Sequence, residues 1–209
     1  MNYLYAPPYC LRIATKKSLC WKISTEEKKI FLTFDDGPTP EVTDKILKIL
    51  RDHQAKATFF ILGKNAQDNP RLIEAIHTGG HTLGSHGWDH LNGWKTPLDL
   101  YAENAGRFPM PHKEPLFRPP YGCITPAQIR DLRKRGFKIV MWSVLSRDYE
   151  PSLDQEKAFN KIVSLTRKGS ILVFHDSVKA ASNCLALLPR VLEHFAARGF
   201  AFEAMASGA

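Results

Sequence analysis

The chain alternates two apolar patterns. Short unbroken apolar runs read as strands buried on both faces: Ile30–Phe34, Ala57–Leu62, His81–Gly84, Leu116–Arg118, Phe137–Trp142, Ser170–Phe174 and Phe200–Met205. Between most of them the period lengthens to that of a helix. Val42, Ile46, Ile49 and Leu50 form one stripe, with Thr39 predicted as N-cap and Pro40 at the first helical position. Thr125, Pro126 and Gln128 spell a capping box before a second helix, which Gly136 ends. A third is expected to open near Ser152, with Gln155 three on, to carry Ala158, Ile162 and Leu165, and to stop at Gly169. The last carries Leu188, Val191, Leu192 and Phe195 up to Gly199, and a short one covers Pro70–Thr78 before Gly79-Gly80. Residues 91–114 carry no clear period. Seven strands alternating with helices are too many for a five-stranded flavodoxin-like sheet. The expectation is an α/β fold, a distorted (β/α) barrel, TIM-like, with seven to eight parallel strands. Residues 1–28 are irregular and read as an N-terminal extension packed on one barrel domain over 29–209.

Composition narrows the class without changing that picture. Of 209 residues, 44% are apolar and 24% charged, which excludes a disordered chain. No apolar run approaches the ~20 residues of a membrane helix. Met1 to Leu19 is mixed and lacks the apolar centre of a signal peptide. The location is therefore cytoplasmic by default, or periplasmic or secreted if a leader was removed. Cys10, Cys20, Cys123 and Cys184 contain no C-x-x-C pair, which argues against a cysteine zinc site while permitting disulfides. The net charge of +8 is spread out; Lys16-Lys17, Lys28-Lys29 and Arg133-Lys134-Arg135 are short clusters. They read as a solvated basic surface rather than a nucleic-acid site, and such a surface also suits an anionic polymer such as a cell-wall glycan. Nothing in the sequence sets an oligomeric state.

The unusual polar residues fall where strands end. Asp35 and Asp36 follow the first predicted strand, His86 lies just beyond the third, and Arg118 closes the fourth. Asp148 lies in the loop after the fifth, and His175 ends the sixth. C-terminal strand ends are where parallel α/β folds hold their chemistry. His86 and His90 stand four apart, a spacing that on a helical turn brings both imidazoles to one ion. The spacing alone is cheap: His77 and His81 share it, and His81 reads as structural. Asp35 and Asp36 repel if both are ionised, yet Gly37-Pro38 turns the chain at once and can bring both to one rim. A divalent cation makes the pair tolerable, one carboxylate ligating it and the other remaining a base. Two histidines and one carboxylate leave coordination positions open for water and substrate. Arg118, stiffened by Pro119-Pro120, can pair with a carboxylate and keep it ionised. His175 is either a satisfied core histidine or, with Asp148 nearby, an imidazolium general acid. No G-x-S-x-G occurs, so a serine hydrolase is disfavoured.

From about Lys29 to Met205 the chain resembles the polysaccharide deacetylases of carbohydrate esterase family 4, the NodB homology domain. Five motifs occur in order: Thr33-Phe34-Asp35-Asp36-Gly37, His86 to His90, Arg118-Pro119-Pro120-Tyr121-Gly122, Trp142 to Tyr149, and Val173-Phe174-His175. The resemblance implies a metal-dependent hydrolase that removes acetyl groups from N-acetylated amino sugars of a chitin-type or peptidoglycan-type glycan. It implies Asp36, His86 and His90 as ligands of a divalent metal, usually zinc, with cobalt or nickel as substitutes. Asp35 would be the base, Arg118 would orient it, the Tyr121 N–H would help hold an oxyanion, and His175 with Asp148 would be the acid. Tyr121, Tyr149, Trp88 and Val173 would contact substrate. Three positions depart from the common pattern: Leu145 replaces an Asp, Tyr149 a Trp, and Val173 a Leu. An O-acetyl ester (xylan-type) esterase and a non-catalytic sugar-binding domain remain the alternatives.

Overall fold

The computed structural model describes residues 5–107 and 115–206. Among the described residues there are eight strands: β1 (Lys29–Asp35), β2 (Ala57–Ile61), β3 (Thr82–Ser85), β4 (Leu116–Phe117), β5 (Lys138–Ile139), β6 (Val144–Leu145), β7 (Ile171–His175) and β8 (Ala201–Phe202). The helices are α1 (Tyr9–Thr15), α2 (Val42–Asp52), α3 (Gly63–Asp68), α4 (Pro70–Thr78), α5 (Leu98–Gly106), α6 (Pro126–Lys134), α7 (Gln155–Leu165) and α8 (Ala181–Ala196). The strands run parallel in the order β5-β4-β3-β2-β1-β7-β6, and β8 pairs with the start of β1. The sheet curls into the distorted barrel that the alternation of patterns predicts.

Period-2 alternation decides what reaches the centre. Ile30, Leu32 and Phe34 point out of the curl into the cluster that carries Ile46 and Leu50 of α2 and Leu188 and Val191 of α8. There the rings of Phe34 and Phe59 stack at 5.0 Å, and those of Phe34 and Phe174 at 6.1 Å. Phe31 points the other way, against Phe60, Leu116, Val140 and Ile171. Thr33 and Asp35 follow it on that inner side, level with Val173 and His175 of β7. The last inner residues of the neighbouring strands β1 and β7 are thus both ionisable.

Of the apolar run Phe137–Trp142, expected as one strand, only Lys138–Ile139 is strand, and a further short strand begins beyond the run. Lys138–Ile139 pairs with β4, while Val144–Leu145 pairs with β7 at the other margin. Between them the carbonyls of Val140 and Met141 accept from Arg118 Nε (3.4 Å) and Nη2 (2.9 Å), so a buried side chain replaces a neighbouring strand there. Asp148 accordingly follows the sixth strand, not the fifth. Two predicted helix starts also move. Glu41, at φ 64°, precedes α2, and Thr39 is not its cap; its N–H donates to Thr43 Oγ1 (2.8 Å). α7 opens at Gln155, capped by Asp154 from the Lys157 N–H (2.9 Å), rather than near Ser152. The Thr125–Gln128 capping box of α6 is present as expected. Within 91–114, α5 forms, and residues 108–114 lie outside the described residues.

The segment before β1 lies across the ends of the sheet. Cys20 bridges to Val140 beside β5, and Lys22 to Ser170 ahead of β7. Leu19 and Trp21 are buried with Tyr101, Phe117 and Ile139. All four cysteines are free thiols. Among the described residues no helix is long and apolar enough to cross a membrane.

Candidate active site

The two adjacent aspartates are separated by their partners. Asp35 ends β1 facing inward, and its Oδ1 accepts from Arg118 Nη1 at 2.7 Å. Arg118 is wholly buried. The same Nη1 donates to Thr33 Oγ1 (2.6 Å), and the guanidinium lies 4.1 Å from the Phe60 ring centroid. Every edge of the fork is therefore committed, which fixes the Asp35 carboxylate in turn.

Asp36 turns away from Asp35 at φ 79°. Its carbonyl accepts from Asn65 Nδ2 (2.8 Å), and its Oδ1 lies 3.2 Å from His90 Nε2 and 3.6 Å from His86 Nε2. Burial alone would raise this carboxyl. The hydrogen bond from His90 and the imidazoles of His86, His175 and His90 outweigh it and hold Asp36 well below the usual carboxylate range.

His86 and His90 do not share a helical turn. They flank an irregular bend in which Gly87 takes φ 82° and His90 φ 58°. Asn104 Oδ1 holds the bend, accepting from the N–H groups of Trp88 (2.8 Å) and Asp89 (3.3 Å). The rings end 5.0 Å apart. His86 Nδ1 lies 2.8 Å from Arg118 O. A carbonyl only accepts, so Nδ1 carries the proton and Nε2 presents its lone pair toward Asp36. Burial pushes His86 down to about 4, so it is neutral at pH 7.

One ligand atom from each of Asp36, His86 and His90 lies within 4.8 Å of the other two. The donor chemistry fits a divalent cation: one carboxylate kept ionised and one imidazole locked in the tautomer that exposes Nε2. Second-neighbour hydrogen bonds orient both.

His175 faces this group from β7, level with Asp35. Its Nδ1 lies 2.7 Å from Asp148 Oδ1, and its N–H donates to Asp148 Oδ2 at 2.8 Å. Asp148 is fully buried and held from behind, its carbonyl accepting from Asn183 Nδ2 (3.0 Å). Burial lowers His175, but the Asp148 charge and hydrogen bond overcome it and push the imidazole up to about 9. Nε2 is the ring atom left to serve a ligand.

The aromatic positions spread around this centre. Tyr121, 65% exposed at φ 59°, sets its ring edge-on to His90 at 4.5 Å. The Gly122 and Cys123 N–H groups are used inside that turn, donating to Pro119 O and Pro120 O. Tyr149 stands edge-on to His175 at 5.0 Å, with Lys179 Nζ 5.7 Å from its ring centroid. Trp88 is half-buried with the Arg107 guanidinium 4.2 Å from its ring. Val173 is buried on the inner face of β7, two residues below His175.

Sequence reasoning gave Asp176 no role, although it follows His175 directly. Its Oδ1 accepts from the Gly37 N–H (2.9 Å), its Oδ2 from Thr43 Oγ1 (2.8 Å), and its own N–H donates to Asp35 O (3.1 Å). Burial pushes this carboxyl up to about 7, with Asp36 adding to the rise. Asp176 clamps the turn that carries Asp35 and Asp36, and a side chain at Gly37 would overlap its carboxylate. Gly37→Ala is therefore expected to cut activity by at least about 100-fold and to weaken metal uptake. The control is Gly136→Ala, where φ is 88° but nothing lies within 4 Å of the added carbon. That change costs only about 1 kcal/mol of backbone strain. Equal activity losses in the two variants would count against the clamp.

Comparison with known proteins identifies the family. A peptidoglycan-N-acetylglucosamine deacetylase of Bacillus cereus is 35% identical over 87% of this chain and 88% of its own length. A chitooligosaccharide deacetylase of Azorhizobium caulinodans is 34% identical, covering 87% of this chain and 95% of that one. A solved peptidoglycan N-acetylglucosamine deacetylase, in complex with 4-naphthalen-1-yl-N-oxidanyl-benzamide, superposes with a TM-score of 0.84 at 28% identity over 95% of both chains. Residues 22–140 match the family model described as polysaccharide deacetylase. The chain belongs to the polysaccharide deacetylase family.

Proposed function

We propose that this protein hydrolyses the acetamide of N-acetylated amino sugars in a glycan of the peptidoglycan or chitooligosaccharide type, releasing acetate and a free amine. The observation that carries this reading is the division of labour around one rim. Asp35 is bound to Arg118, Asp36 to the histidine pair, and His175 to Asp148. Pure sugar binding needs no such acid and base.

Asp36, His86 and His90 would hold the metal, which we take to be zinc, with cobalt or nickel as substitutes. A divalent cation held there would lower the pKa of a bound water and polarise the acetyl oxygen. Asp35 accepts the proton of the attacking water, and Arg118 keeps that carboxylate aimed. The Tyr121 N–H donates to the developing oxyanion; a comparable donor contributes about 3–4 kcal/mol. His175 Nε2 delivers a proton to the departing amine, while Asp148 holds Nδ1 and stabilises the imidazolium. Tyr121, Tyr149 and Trp88 offer sugar-facing surface around the reacting group, and Val173 underlies His175 at the floor.

The direct test is acetate release from N-acetylglucosamine oligomers by stripped protein reloaded with zinc or cobalt. Metal-dependent release is the expected result, and stoichiometric metal with no release would overturn the reading. His86→Ala is expected to lose stoichiometric zinc, measured by dialysis and elemental analysis; a variant that still binds one zinc per chain refutes the ligand set.

The pH response follows from His175. Its folded value of about 9 lies above its ordinary 6.5, so the charged form dominates at neutrality. Pairing with Asp148 therefore stabilises the fold fully below pH 6.5, and that stability is lost as pH rises through about 9. Amide turnover should fall over the same limb. Asp148→Asn is expected to move that limb downward by at least one pH unit; an unmoved limb assigns it to another group.

A further inference from the structure

A second charged feature lies away from the catalytic rim. A cavity of about 420 Å³ opens between α1, the stretch after it, and the turn from α6 into β5. Arg12, Lys16, Lys17, Lys22, Arg133 and Lys138 line it, and no carboxylate does. Among the described residues none of these six forms an ion pair. Other surface cations do have carboxylate partners: Arg71 with Asp44, Lys48 with Asp52, Arg135 with Asp131, Arg190 with Glu156.

The frame that carries these cations is fixed. Tyr9, Arg12, Ile13 and Lys16 stand at i, i+3, i+4 and i+7, so α1 turns one stripe to the cavity. α1 buries none of its residues in the core, but Trp21 Nε1 donates to Thr15 Oγ1 (2.9 Å), and Leu19 and Trp21 are buried just beyond. Lys138 opens β5 level with Leu116, which opens β4. The cavity thus sits by the N-terminal ends of these strands, whereas the catalytic residues use the C-terminal ends.

Six unmatched like charges in one hollow repel each other, and an anion relieves that cost. The lysines and Arg133 are exposed, which suits many salt-sensitive contacts along a polyanion rather than one oriented small ligand. Tyr9, 73% exposed, adds a flat face at the lip on which a sugar ring can lie. We propose that this cavity docks an acidic glycan through its carboxylate or phosphate groups, tethering the enzyme to polymer while the opposite rim works on acetamides. The choice of a glycan over other polyanions rests on the deacetylase reading. A tether of this kind raises the local concentration of substrate without contributing to catalysis.

The test uses the full chain and a variant with Lys16→Gln, Lys17→Gln, Lys22→Gln and Lys138→Gln together, none of them at the catalytic rim. The probes are fluorescent polygalacturonate for carboxylates, a poly(glycerol phosphate) for phosphates, and a 20-residue oligothymidylate for nucleic acid. Wild type is expected to bind at least one glycan-type probe at 50 mM salt, weakening steeply with salt. The variant should bind at least about tenfold less tightly with a shallower salt slope, and Arg at the same four positions should restore binding. Turnover of a neutral N-acetylglucosamine tetramer should be unchanged. No binding by wild type, or equal binding by the variant, overturns the proposal. So does oligothymidylate binding more tightly than either acidic polymer through the same lysines, which would make the cavity a nucleic-acid site. The tetramer assay separates failures: no turnover by either protein, with polyanion binding still lysine-dependent, removes the deacetylase reading and leaves the charged site standing.

Discussion

Asp35→Asn is expected to lower turnover of an N-acetylated oligomer by about 10²–10⁴-fold, the range of a positioned general base, while the protein still takes up one divalent cation. Asn keeps the shape and an oxygen that accepts from Arg118 Nη1, now 2.7 Å from Asp35 Oδ1. It removes the charge that takes the water's proton. Metal uptake survives because the ligating carboxylate is Asp36, whose Oδ1 faces the histidines. The same substitution carries a second cost. Arg118 is 0% exposed, and Asp35 is its counter-charge. Breaking a buried pair from one side typically costs about 3–5 kcal/mol; here the acceptors Thr33 Oγ1 and Met141 O remain and reduce it. The variant should therefore melt lower than wild type, and turnover has to be measured well below that melt. Substantial residual turnover would move the base elsewhere. Loss of the cation would make Asp35 a ligand.

The Asp35–Arg118 pair also explains what the sequence could and could not convey. Period-2 alternation sufficed to put Thr33 and Asp35 on one side of a strand, and short apolar runs sufficed to put Asp35, His86, Arg118 and His175 at strand ends. Those features depend on neighbours in sequence. What Arg118 does to residues 137–145 does not. Its fork occupies carbonyls at 140 and 141, so the strand in this run stops at Ile139 and the next, Val144–Leu145, starts at the opposite margin. No local pattern in Phe137–Trp142 announces a guanidinium arriving from β4. The His86–His90 spacing was informative for a reason other than the one it suggested. The rings meet through a bend with two positive-φ residues held by Asn104, not through a helical turn. Asp176 was invisible because its meaning lies in Gly37 and Thr43, more than 130 residues away. Its one trace in the sequence is the missing side chain at Gly37, whose φ is not positive and whose smallness needed another cause.

The charge pairings of the rim lead to the second large effect. His175→Ala is expected to reduce amide hydrolysis by about 10²–10⁴-fold and hydrolysis of an activated aryl acetate by less than about tenfold. The two substrates share the attack on an acetyl carbon, so they share Asp35, the oxyanion donor and the metal site. They differ in what leaves. An amine is expelled only with a proton in place, whereas an activated phenolate departs without one. His175 is built for that one step: Asp148 holds Nδ1 at 2.7 Å and raises the imidazole to about 9, so the proton is present on the ring at pH 7. Removing the ring leaves Asp148 buried, but its Oδ2 still accepts the residue-175 N–H at 2.8 Å, and Asn183 still holds its carbonyl, so the loop has reason to keep its shape. Asp148→Asn is the companion variant. It keeps the ring but lets the imidazole return toward its ordinary value, so its amide defect should be smaller and should deepen as pH rises from 6 to 9. Equal losses on amide and ester in His175→Ala would mean that His175 positions the substrate or the Asp35–Asp36 turn instead of delivering a proton. A defect in Asp148→Asn that does not change with pH would say the same of the pair.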